Sequence, residues 1–430
     1  MTDPEVARYL LPEAQNRGIF LNEIVPDQFA GRLPQQKPTV AFLVGQPGAG
    51  KTRVGNMLAA ALNKRGGFID VDSDLYKPFH PEYARLMQQD DRLMAAYTRA
   101  DGRRWMAQAH EYVREHRLNA VIQETSQDGE AVAATMRAYR GSGFRVEIVA
   151  MGVSEAMSNQ GIVNRYHEQV KERGSGRLTV QANADQSYSG ILDLARLVDE
   201  QALADHVSVF RRGEGKPRYA NSLDGFGQWR RAAALAQAIG EERSRPWTVS
   251  ESGDFLQSQG KLHLEMGPDW AGPLARIDRL ARPMLHPLSL LSDEELSRQG
   301  ARAAAAVRAT GRQADAGRPP QPSVDGQLER LAERGASAGE LDRARRSMEE
   351  DRQYASARAA QAAERVAGLQ AAASSVSTEQ ERRRLLPAAI RRAEAAGRER
   401  QAAMETAPQR PAQQAPQIRP PEREGPSRSS

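Results

Sequence analysis

Residues Val44–Thr52 read "VGQPGAGKT", a glycine-rich stretch that ends in a lysine and a hydroxyl side chain. The stretch matches the pattern G-x-x-x-x-G-K-[ST], in which backbone N–H groups surround phosphate oxygens and the next helix N-terminus adds positive potential. An apolar run precedes it and helical spacing follows it, so strand, loop and helix occur in the required order. The pattern predicts a nucleoside triphosphate site. Its predicted contacts are Gly45, Gln46, Pro47, Gly48, Ala49, Gly50, Lys51 and Thr52.

Short runs typical of buried strands recur through the first half of the chain, separated by segments of helix length. They are Pro38–Val44, Gly67–Asp72, Asn119–Thr125, Phe144–Gly152 and His206–Arg212. This alternation predicts an α/β fold, a parallel sheet of the P-loop kinase type with helices on both faces. Because ligands bind beyond the carboxyl ends of the strands in such sheets, we expect the residues just after each strand to carry the chemistry.

Helical patterns fill most of the remaining chain. Short helices are predicted at Val6–Leu11, Phe226–Glu242 and Leu274–Ala281, and Pro283 should end the last of them. A helical pattern should begin at residue 299, break at "GRPPQPSVDG" (317–326) and continue as a long helix rich in Ala, Arg and Glu to about 403. The predicted organisation is an N-terminal helical segment (1–37), a P-loop kinase domain (38–222), a helical extension (223–295), an Ala/Arg/Glu-rich helical region (296–406) and a disordered tail (407–430).

Composition and charge narrow the class of protein. The chain has 430 residues, 40% of them hydrophobic and 5% aromatic, with a formal net charge of +5. Its basic residues alternate with acidic ones instead of forming a block, so we expect no nucleic-acid partner. The absence of cysteine excludes disulfides and thiolate metal sites. The first residues lack a signal-peptide pattern and no apolar run approaches a membrane span, so we expect a cytoplasmic protein without membrane contact.

Two aspartates follow the second predicted strand, in the run "DVDSD". Asp72 and Asp74 should therefore lie at the carboxyl edge of the sheet, beside the phosphate-binding loop. Carboxylates there suit a magnesium ion or a general base, and alternate residues of an extended segment point the same way. An aspartate at a strand end is also a common helix cap, and that alternative stays open at this point.

Four motifs in order resemble the zeta toxins of bacterial toxin–antitoxin systems. They are the phosphate loop, the run "DSDLYKPFHP" at Asp72–Pro81, the strand end "VIQET" at Val121–Thr125 and the arginine pair in "NRYHEQVKERGSGRL" at Asn164–Leu178. The resemblance spans Thr39–Ala220. It implies a P-loop kinase that uses ATP and Mg²⁺ to phosphorylate the 3′-hydroxyl of the amino sugar in UDP-N-acetylglucosamine. It also implies a toxin whose partner is a small helical antitoxin protein.

The resemblance assigns roles to five side chains. Asp74 corresponds to the general base, and Lys51 and Thr52 correspond to the nucleotide and magnesium contacts. Arg165 and Arg177 correspond to two arginines at the transferred phosphoryl group. These roles suit phosphoryl transfer, which depends on positioning and charge neutralisation more than on covalent chemistry. Without the resemblance, the two arginines would read as part of a solvated basic helix.

The substrate-binding run departs from the family pattern. The zeta toxins keep an acid followed two residues later by a threonine, and that pair contacts the sugar nucleotide. Here Gln123 occupies the position of the acid, Glu124 follows it, and Thr125 matches. Because neighbouring strand residues point to opposite faces, Glu124 replaces the acid only if the strand has ended or bulges there. Glu124, Thr125 and His80 are the predicted substrate contacts beside Asp74, and His80 is expected to shape the substrate loop.

Two other functions remain compatible with the sequence. One is a kinase of the same fold that acts on a hydroxyl of a nucleoside, an antibiotic or a polynucleotide end. The other is a helical interaction or mobilisation protein that uses the nucleotide site as a switch. Deletion of the residues after about 295 distinguishes these classes, since a kinase should keep its turnover and an interaction protein should lose its phenotype.

Overall fold

The structure is a computed structural model that describes residues 7–89, 94, 96–174, 176–315 and 338–386, with isolated positions at 328–333 and 390–398. The strands are β1 (Thr39–Val44), β2 (Ile69–Val71), β3 (Ala120–Glu124), β4 (Arg145–Met151), β5 (His206–Phe210) and β6 (Pro217–Ser222). The helices of the first half are α1 (Glu13–Ile19), a π-helix (Phe20–Phe29), α2 (Thr52–Asn63), α3 (Ser73–Tyr76), α4 (Tyr83–Gln89), α5 (Arg99–Glu115), α6 (Gly129–Gly141), α7 (Glu155–Arg173) and α8 (Gln181–Gln201). Those of the second half are α9 (Leu235–Ser244), α10 (Val249–Glu265), α11 (Ala271–Ala281), α12 (Pro287–Leu290), α13 (Asp293–Asp315) and α14 (Ala338–Leu385).

The six strands of the described residues form one sheet in the order β2-β3-β1-β4-β5-β6. The first five strands are parallel, and β1 lies between β3 and β4. Every residue of β1 is buried because helices cover both faces of the sheet. Val40 and Phe42 pack on one face, and Ala41 and Leu43 pack on the other. The prediction of an α/β fold of the P-loop kinase type is confirmed.

The edge strand β6 departs from the predicted all-parallel sheet. It pairs with β5 in the antiparallel sense, as the second arm of a hairpin. Its sequence "PRYANS" is polar and half-exposed, because an edge strand needs little apolar content. The apolar runs that indicated the other strands therefore did not reveal it.

The predicted start of the helix at Phe226–Glu242 is wrong, because the observed helix begins at Leu235. Trp229 instead forms an isolated antiparallel bridge with Leu223. The observed helix α9 begins at Leu235, whose backbone N–H donates to the carboxylate of Asp199 at 3.0 Å. A side chain of α8 thus accepts a free N–H of the first turn of α9 and sets its start.

The helix predicted at Leu274–Ala281 is α11, which ends before the 3₁₀ turn that contains Pro283. The short helix predicted at Val6–Leu11 is wrong over most of its described part, because residues 8–9 form a turn and residues 10–11 have no regular structure. The tail at 407–430 lies wholly outside the described residues. The Ala/Arg/Glu-rich region includes α13 and α14. The boundaries of the five predicted segments stay predictions.

The helical extension shares a core with the kinase-type part of the fold. Trp247, Phe255 and Ile277 of the extension cluster with Val163 of α7. The pair α13 and α14 then packs on α10 through a smaller cluster that includes Val376. None of the helices in the described ranges has the length and apolarity needed to span a membrane.

Candidate active site

The phosphate-binding loop leaves β1 at Val44 and enters α2 at Thr52. Gly48 and Gly50 have φ of +76° and +81°, which is the left-handed region that favours glycine. A Cβ atom on Gly48 would lie 2.0 Å from the carbonyl oxygen of Ser158 in α7. Any other residue at this position would separate the loop from α7, so glycine is required for both conformation and packing.

Gln46 holds the loop from inside the protein. Its side chain is buried, and its Nε2 donates to Val153 O at 2.8 Å and to Ser158 Oγ at 2.6 Å. Its Oε1 accepts from the guanidinium of Arg243 at 3.2 Å. Ala49 N–H donates to Gln46 O at 3.1 Å, which closes the turn. The Gln46 side chain is therefore committed to the protein, and only backbone groups of this residue are available to a ligand.

Lys51 and Thr52 stand at the start of α2. Lys51 Nζ donates to Gly45 O at 2.5 Å, so the ammonium lies over the loop. Burial lowers the pKa of Lys51 to about 8, although the charge of the Asp72 carboxylate acts to raise it. Thr52 is exposed as the first residue of the helix. From these positions the Lys51 ammonium could contact phosphate oxygens, and the Thr52 hydroxyl could contact a cation bound to the phosphates.

Asp72 and Asp74 have different environments. Asp72 accepts the backbone N–H of Asp74 at 2.9 Å and so caps α3, and burial raises its pKa. Asp74 accepts from Lys77 Nζ at 2.7 Å and from the Arg177 guanidinium at 2.5 Å. Burial acts to raise the pKa of Asp74, but the hydrogen bonds and charges of Arg177 and Lys77 outweigh it and hold the pKa at about 2. Asp74 is therefore ionised at neutral pH and half-exposed at the sheet edge.

The structure brings the two predicted arginines to the same place. Arg165 lies on α7 and donates to Thr179 Oγ1 at 3.2 Å. Arg177 lies in the connection after α7, where Gln169 Oε1 accepts its backbone N–H at 2.9 Å. Burial lowers the pKa of Arg165, the charge of Arg177 lowers it further, and Asp74 opposes both. Arg165, Arg177 and Asp74 thus form one electrostatic cluster beside the phosphate loop.

Glu124 ends β3 directly opposite Val44, and its carbonyl oxygen accepts Gly45 N–H at 3.1 Å. Burial raises the pKa of Glu124 to about 7, and among its neighbours Lys51 lowers it while Asp72 raises it. The strand continues in register through this residue. Gln123 therefore points to the opposite face, where its Nε2 donates to Asp70 Oδ2 at 3.4 Å. The carboxylate next to the phosphate loop is that of Glu124, and Thr125 follows the strand.

His80 is fully buried in the loop that it was expected to shape. Its Nε2 lies 3.1 Å from Tyr9 O, and its Nδ1 accepts Glu82 N–H at 3.2 Å. The ring also lies 3.5 Å from the buried carboxylate of Asp101. These contacts fix the chain after α3. A direct contact between His80 and a substrate stays a prediction, and the geometry is that of a positioning residue.

Two arginines near the loop were not singled out by sequence reasoning. Arg243 reaches the loop from α9, and its guanidinium stacks on the Tyr188 ring at 3.9 Å from the centroid. Arg212 was placed inside a predicted strand, but β5 ends at Phe210. The rule that chemistry follows strand ends would have selected Arg212 if that boundary had been known.

A cavity of about 410 Å³ lies beside α7. Its walls include Val163, Trp270 and the segment 178–181.

Among the described residues, no group of three or more histidines and carboxylates is arranged to hold a metal ion. A magnesium ion beside the phosphate-binding loop would depend on the ligand's own phosphate oxygens, as is usual for this cation.

The loop, the sheet order and the charged cluster define a P-loop nucleotide-binding fold of the kinase type. Residues 25–224 match the family model described as Zeta toxin, and this part of the chain is similar to the zeta toxin family. The chain is 21% identical over 224 residues to Toxin PezT of Streptococcus pneumoniae serotype 4, which covers 50% of the chain and 88% of that relative. It is 23% identical over 146 residues to Toxin zeta of Streptococcus pyogenes, which covers 34% of the chain.

The match to the Streptococcus pyogenes toxin spans 50% of that relative's length. A solved structure from the PezAT chromosomal toxin-antitoxin system of Streptococcus pneumoniae is similar in fold, with a TM-score of 0.50 and 18% identity. The similarity covers 60% of this chain and 97% of that one. The remaining 40% of this chain lies outside that similarity.

Proposed function

We propose that the chain is an ATP-dependent kinase that phosphorylates the 3′-hydroxyl of the amino sugar of UDP-N-acetylglucosamine. The observation that carries the proposal is the position of Asp74, held by Arg177 and Lys77 at the sheet edge beside the Lys51 loop. A carboxylate there can accept a hydroxyl proton while cations stabilise the transferred phosphoryl group. ATP and the acceptor are cytoplasmic metabolites, so the proposal places the reaction in the cytoplasm.

The nucleotide would bind through the loop backbone and Lys51. Backbone N–H groups of the loop and the N-terminus of α2 face the phosphates, and the Lys51 ammonium neutralises their charge. A magnesium ion fits beside Thr52, because its hydroxyl and the nearby carboxylates of Asp72 and Glu124 are oxygen donors. When bound, such an ion neutralises charge on the phosphate oxygens.

Asp74 would orient the acceptor hydroxyl and take its proton. A carboxylate with a pKa of about 2 is a weak base, so proton transfer comes late, when the new bond to phosphorus has formed. This timing suits the loose transition state of phosphoryl transfer, which needs little help from a strong base. Arg177 already contacts Asp74 and Arg165 lies beside it, so both guanidinium groups can balance the equatorial oxygens of the phosphoryl group.

The identity of the acceptor rests on the family resemblance, and one observation favours a second candidate. Gln123 replaces the acid of the family pattern and hydrogen-bonds to Asp70 at 3.4 Å. Glu124 lies near Lys51 and Asp72, on the phosphate side of the site. Both features favour a kinase whose acceptor is another small-molecule or polynucleotide hydroxyl, with the same phosphoryl chemistry.

We also propose that the chain is the toxin of a toxin–antitoxin pair. Two of its relatives are toxins, and a similar solved structure comes from a toxin-antitoxin system. A small helical antitoxin would then bind and neutralise it. Expression of the chain should arrest bacterial growth, and co-expression of the protein encoded beside its gene should restore growth. Normal growth during expression of an active kinase would contradict this part of the proposal.

The test of the kinase is phosphoryl transfer from ATP with magnesium to a panel of acceptors. UDP-N-acetylglucosamine should be phosphorylated on its 3′-hydroxyl, and Lys51→Ala should abolish the transfer. Transfer to a nucleoside, an antibiotic or a polynucleotide end, with none to the sugar nucleotide, would establish the second candidate. ATP binding without transfer to any acceptor would favour the nucleotide-switched interaction protein.

A further inference from the structure

Two arginines follow β5 at the carboxyl edge of the sheet, and only the first has acidic partners among the described residues. Arg211 pairs with Glu242 at 2.9 Å and with Glu214 at 3.5 Å. Arg212 donates from NH1 to Met157 O at 2.8 Å and forms no ion pair with any carboxylate of the described chain. The guanidinium of Arg212 is therefore oriented but keeps its charge uncompensated.

Arg212 lies directly against the phosphate-binding loop. A Cβ atom built on Gly50 would lie 3.4 Å from both Cγ and Nε of Arg212. Gly50 precedes Lys51 and has a left-handed φ of +81°, so the arginine covers a backbone segment that only glycine readily adopts. The connection between β5 and β6 also covers the start of α2, where Gly215 approaches the Arg53 guanidinium.

The surroundings of Arg212 favour an anion as its partner. The side chain is partly buried, and burial lowers the pKa of its guanidinium with no carboxylate to oppose the shift. Burial of a cation without a counter-ion is unfavourable in free energy, and an anion bound at the same place offsets that cost. A guanidinium matches the geometry of phosphate oxygens and binds them through two parallel hydrogen bonds.

We propose that Arg212 binds a phosphate oxygen of the nucleotide, from the side of the loop that the β5–β6 connection covers. The inference rests on the proposed nucleotide site, and it adds a second cation to Lys51. Lys51 approaches the phosphates through its contact with Gly45, at the start of the loop. Arg212 approaches at Gly50, at the end of the loop, so the two cations hold the phosphate chain between them.

The test compares Arg212→Gln with Arg218→Gln in the full chain. Arg218 is an exposed arginine of β6 that pairs with Glu214, and it serves as the matched control for loss of one positive charge. Calorimetry measures the affinity of each variant for ATP and for inorganic tripolyphosphate, and thermal unfolding without ligand measures stability. Arg212→Gln should weaken both ligands about tenfold or more, because a charge-assisted hydrogen bond to phosphate is lost.

The unfolding midpoint of Arg212→Gln should be unchanged or higher, since the variant removes an uncompensated cation. Arg212→Lys should bind with intermediate affinity, and Arg218→Gln should bind both ligands like the parent. These results would support the inference. A lower midpoint for Arg212→Gln, with parental affinity, would show that Arg212 only clamps α7 through Met157 O and would overturn it.

Two further outcomes would also overturn the assignment. Weaker ATP binding with unchanged tripolyphosphate binding would place Arg212 on the base instead of the phosphates. A parent chain that bound neither ligand would overturn the proposed nucleotide site, and the inference with it. A parent that bound both, beside an Arg212→Gln variant that bound them equally well, would overturn the inference alone.

Discussion

Replacement of Asp74 by asparagine separates the role of its charge from the role of its shape. Asp74 presents Oδ1 to Lys77 and Oδ2 to Arg177. Asparagine has a single acceptor oxygen, so one of the two cations loses its partner. The variant keeps the volume of the side chain and removes the group that would take the proton from the acceptor hydroxyl.

The structure sets the expected sizes of the two effects. The carboxylate is 49% exposed and its partner Arg177 is 48% exposed, so loss of this pair should change stability by no more than about 1 kcal/mol. Loss of a general base should lower turnover about a hundredfold or more. The folded pKa of Asp74 is about 2, below its ordinary value of 3.8, so its stabilising contribution is complete above pH 3.8 and is lost as the pH falls toward 2.

The assay is single-turnover transfer from saturating ATP and magnesium to UDP-N-acetylglucosamine near pH 7.5, with nucleotide affinity measured in parallel. Asp72→Asn is the matched control. Asparagine caps a helix as well as aspartate does, so this variant keeps the hydrogen bond from Asp74 N–H and loses only a charge. It should stay within about tenfold of the parent in transfer and lose affinity for magnesium.

Two results would refute the assignment of the base. If Asp74→Asn kept saturated turnover within about tenfold of the parent and only weakened ATP or magnesium binding, Asp74 would be a support for the nucleotide site. If Asp72→Asn caused the larger loss of transfer, the base would be Asp72, and the pairing of Asp74 with Arg177 would serve to place that arginine.

Four other predictions follow from the same contacts. Lys51→Met should abolish transfer without lowering the unfolding midpoint, because the parent ammonium is desolvated. Burial raises the pKa of Glu124 from 4.5 to about 7, so the fold should lose stability as the pH rises across that interval, and Glu124→Gln should reduce this slope in urea unfolding. Arg243→Met has a similar size but leaves the side-chain oxygen Oε1 of Gln46 without its donor, and it should cost about 1–3 kcal/mol and weaken ATP binding. Deletion of residues 296–430 should preserve transfer in the acceptor assay.

The parallel strands of the sheet were predictable because each carries its signal locally. Strands β1, β3, β4 and β5 are mostly apolar and mostly buried, and the glycines of the phosphate loop follow the first of them at fixed spacing. The predicted end of β1 was right, but those of β3, β4 and β5 extended one or two residues too far, which hid Arg212 inside a strand. Strand β6 is exposed and polar, so no comparable local signal marked it.

The start of α9 was not predictable from local pattern. The aromatic and apolar residues around Trp229 resemble a helix face, but Asp224 holds this segment in a turn by accepting N–H groups from Phe226 and Gln228. The helix begins where Asp199 accepts the N–H of Leu235. When the capping side chain comes from another helix, the local sequence at the start of the capped helix does not indicate that start.

The charged cluster of the site was only partly predictable. The residues of the loop and Asp74 follow from position after a strand, whereas the contact between Asp74 and Arg177 joins residues 103 apart in sequence. Arg177 was proposed as a site residue through the family resemblance. The contact between Gln46 and Arg243 joins residues 197 apart, and neither side chain lies in a pattern that indicates the other.

The helical extension supports the phosphate loop from outside the part of the chain that matches the zeta toxin model. That match ends at residue 224, and Arg243 lies beyond it on α9. One face of α7 carries Ser158 under the loop, and another face carries Gln160, whose Nε2 donates to Phe255 O at 2.9 Å in α10. A shift of the extension would therefore displace α7, and with it the support of the loop and the guanidinium of Arg165. The extension up to α12 thus packs as one unit with α7 and the phosphate loop, and among the described residues α14 contacts α10 and α12.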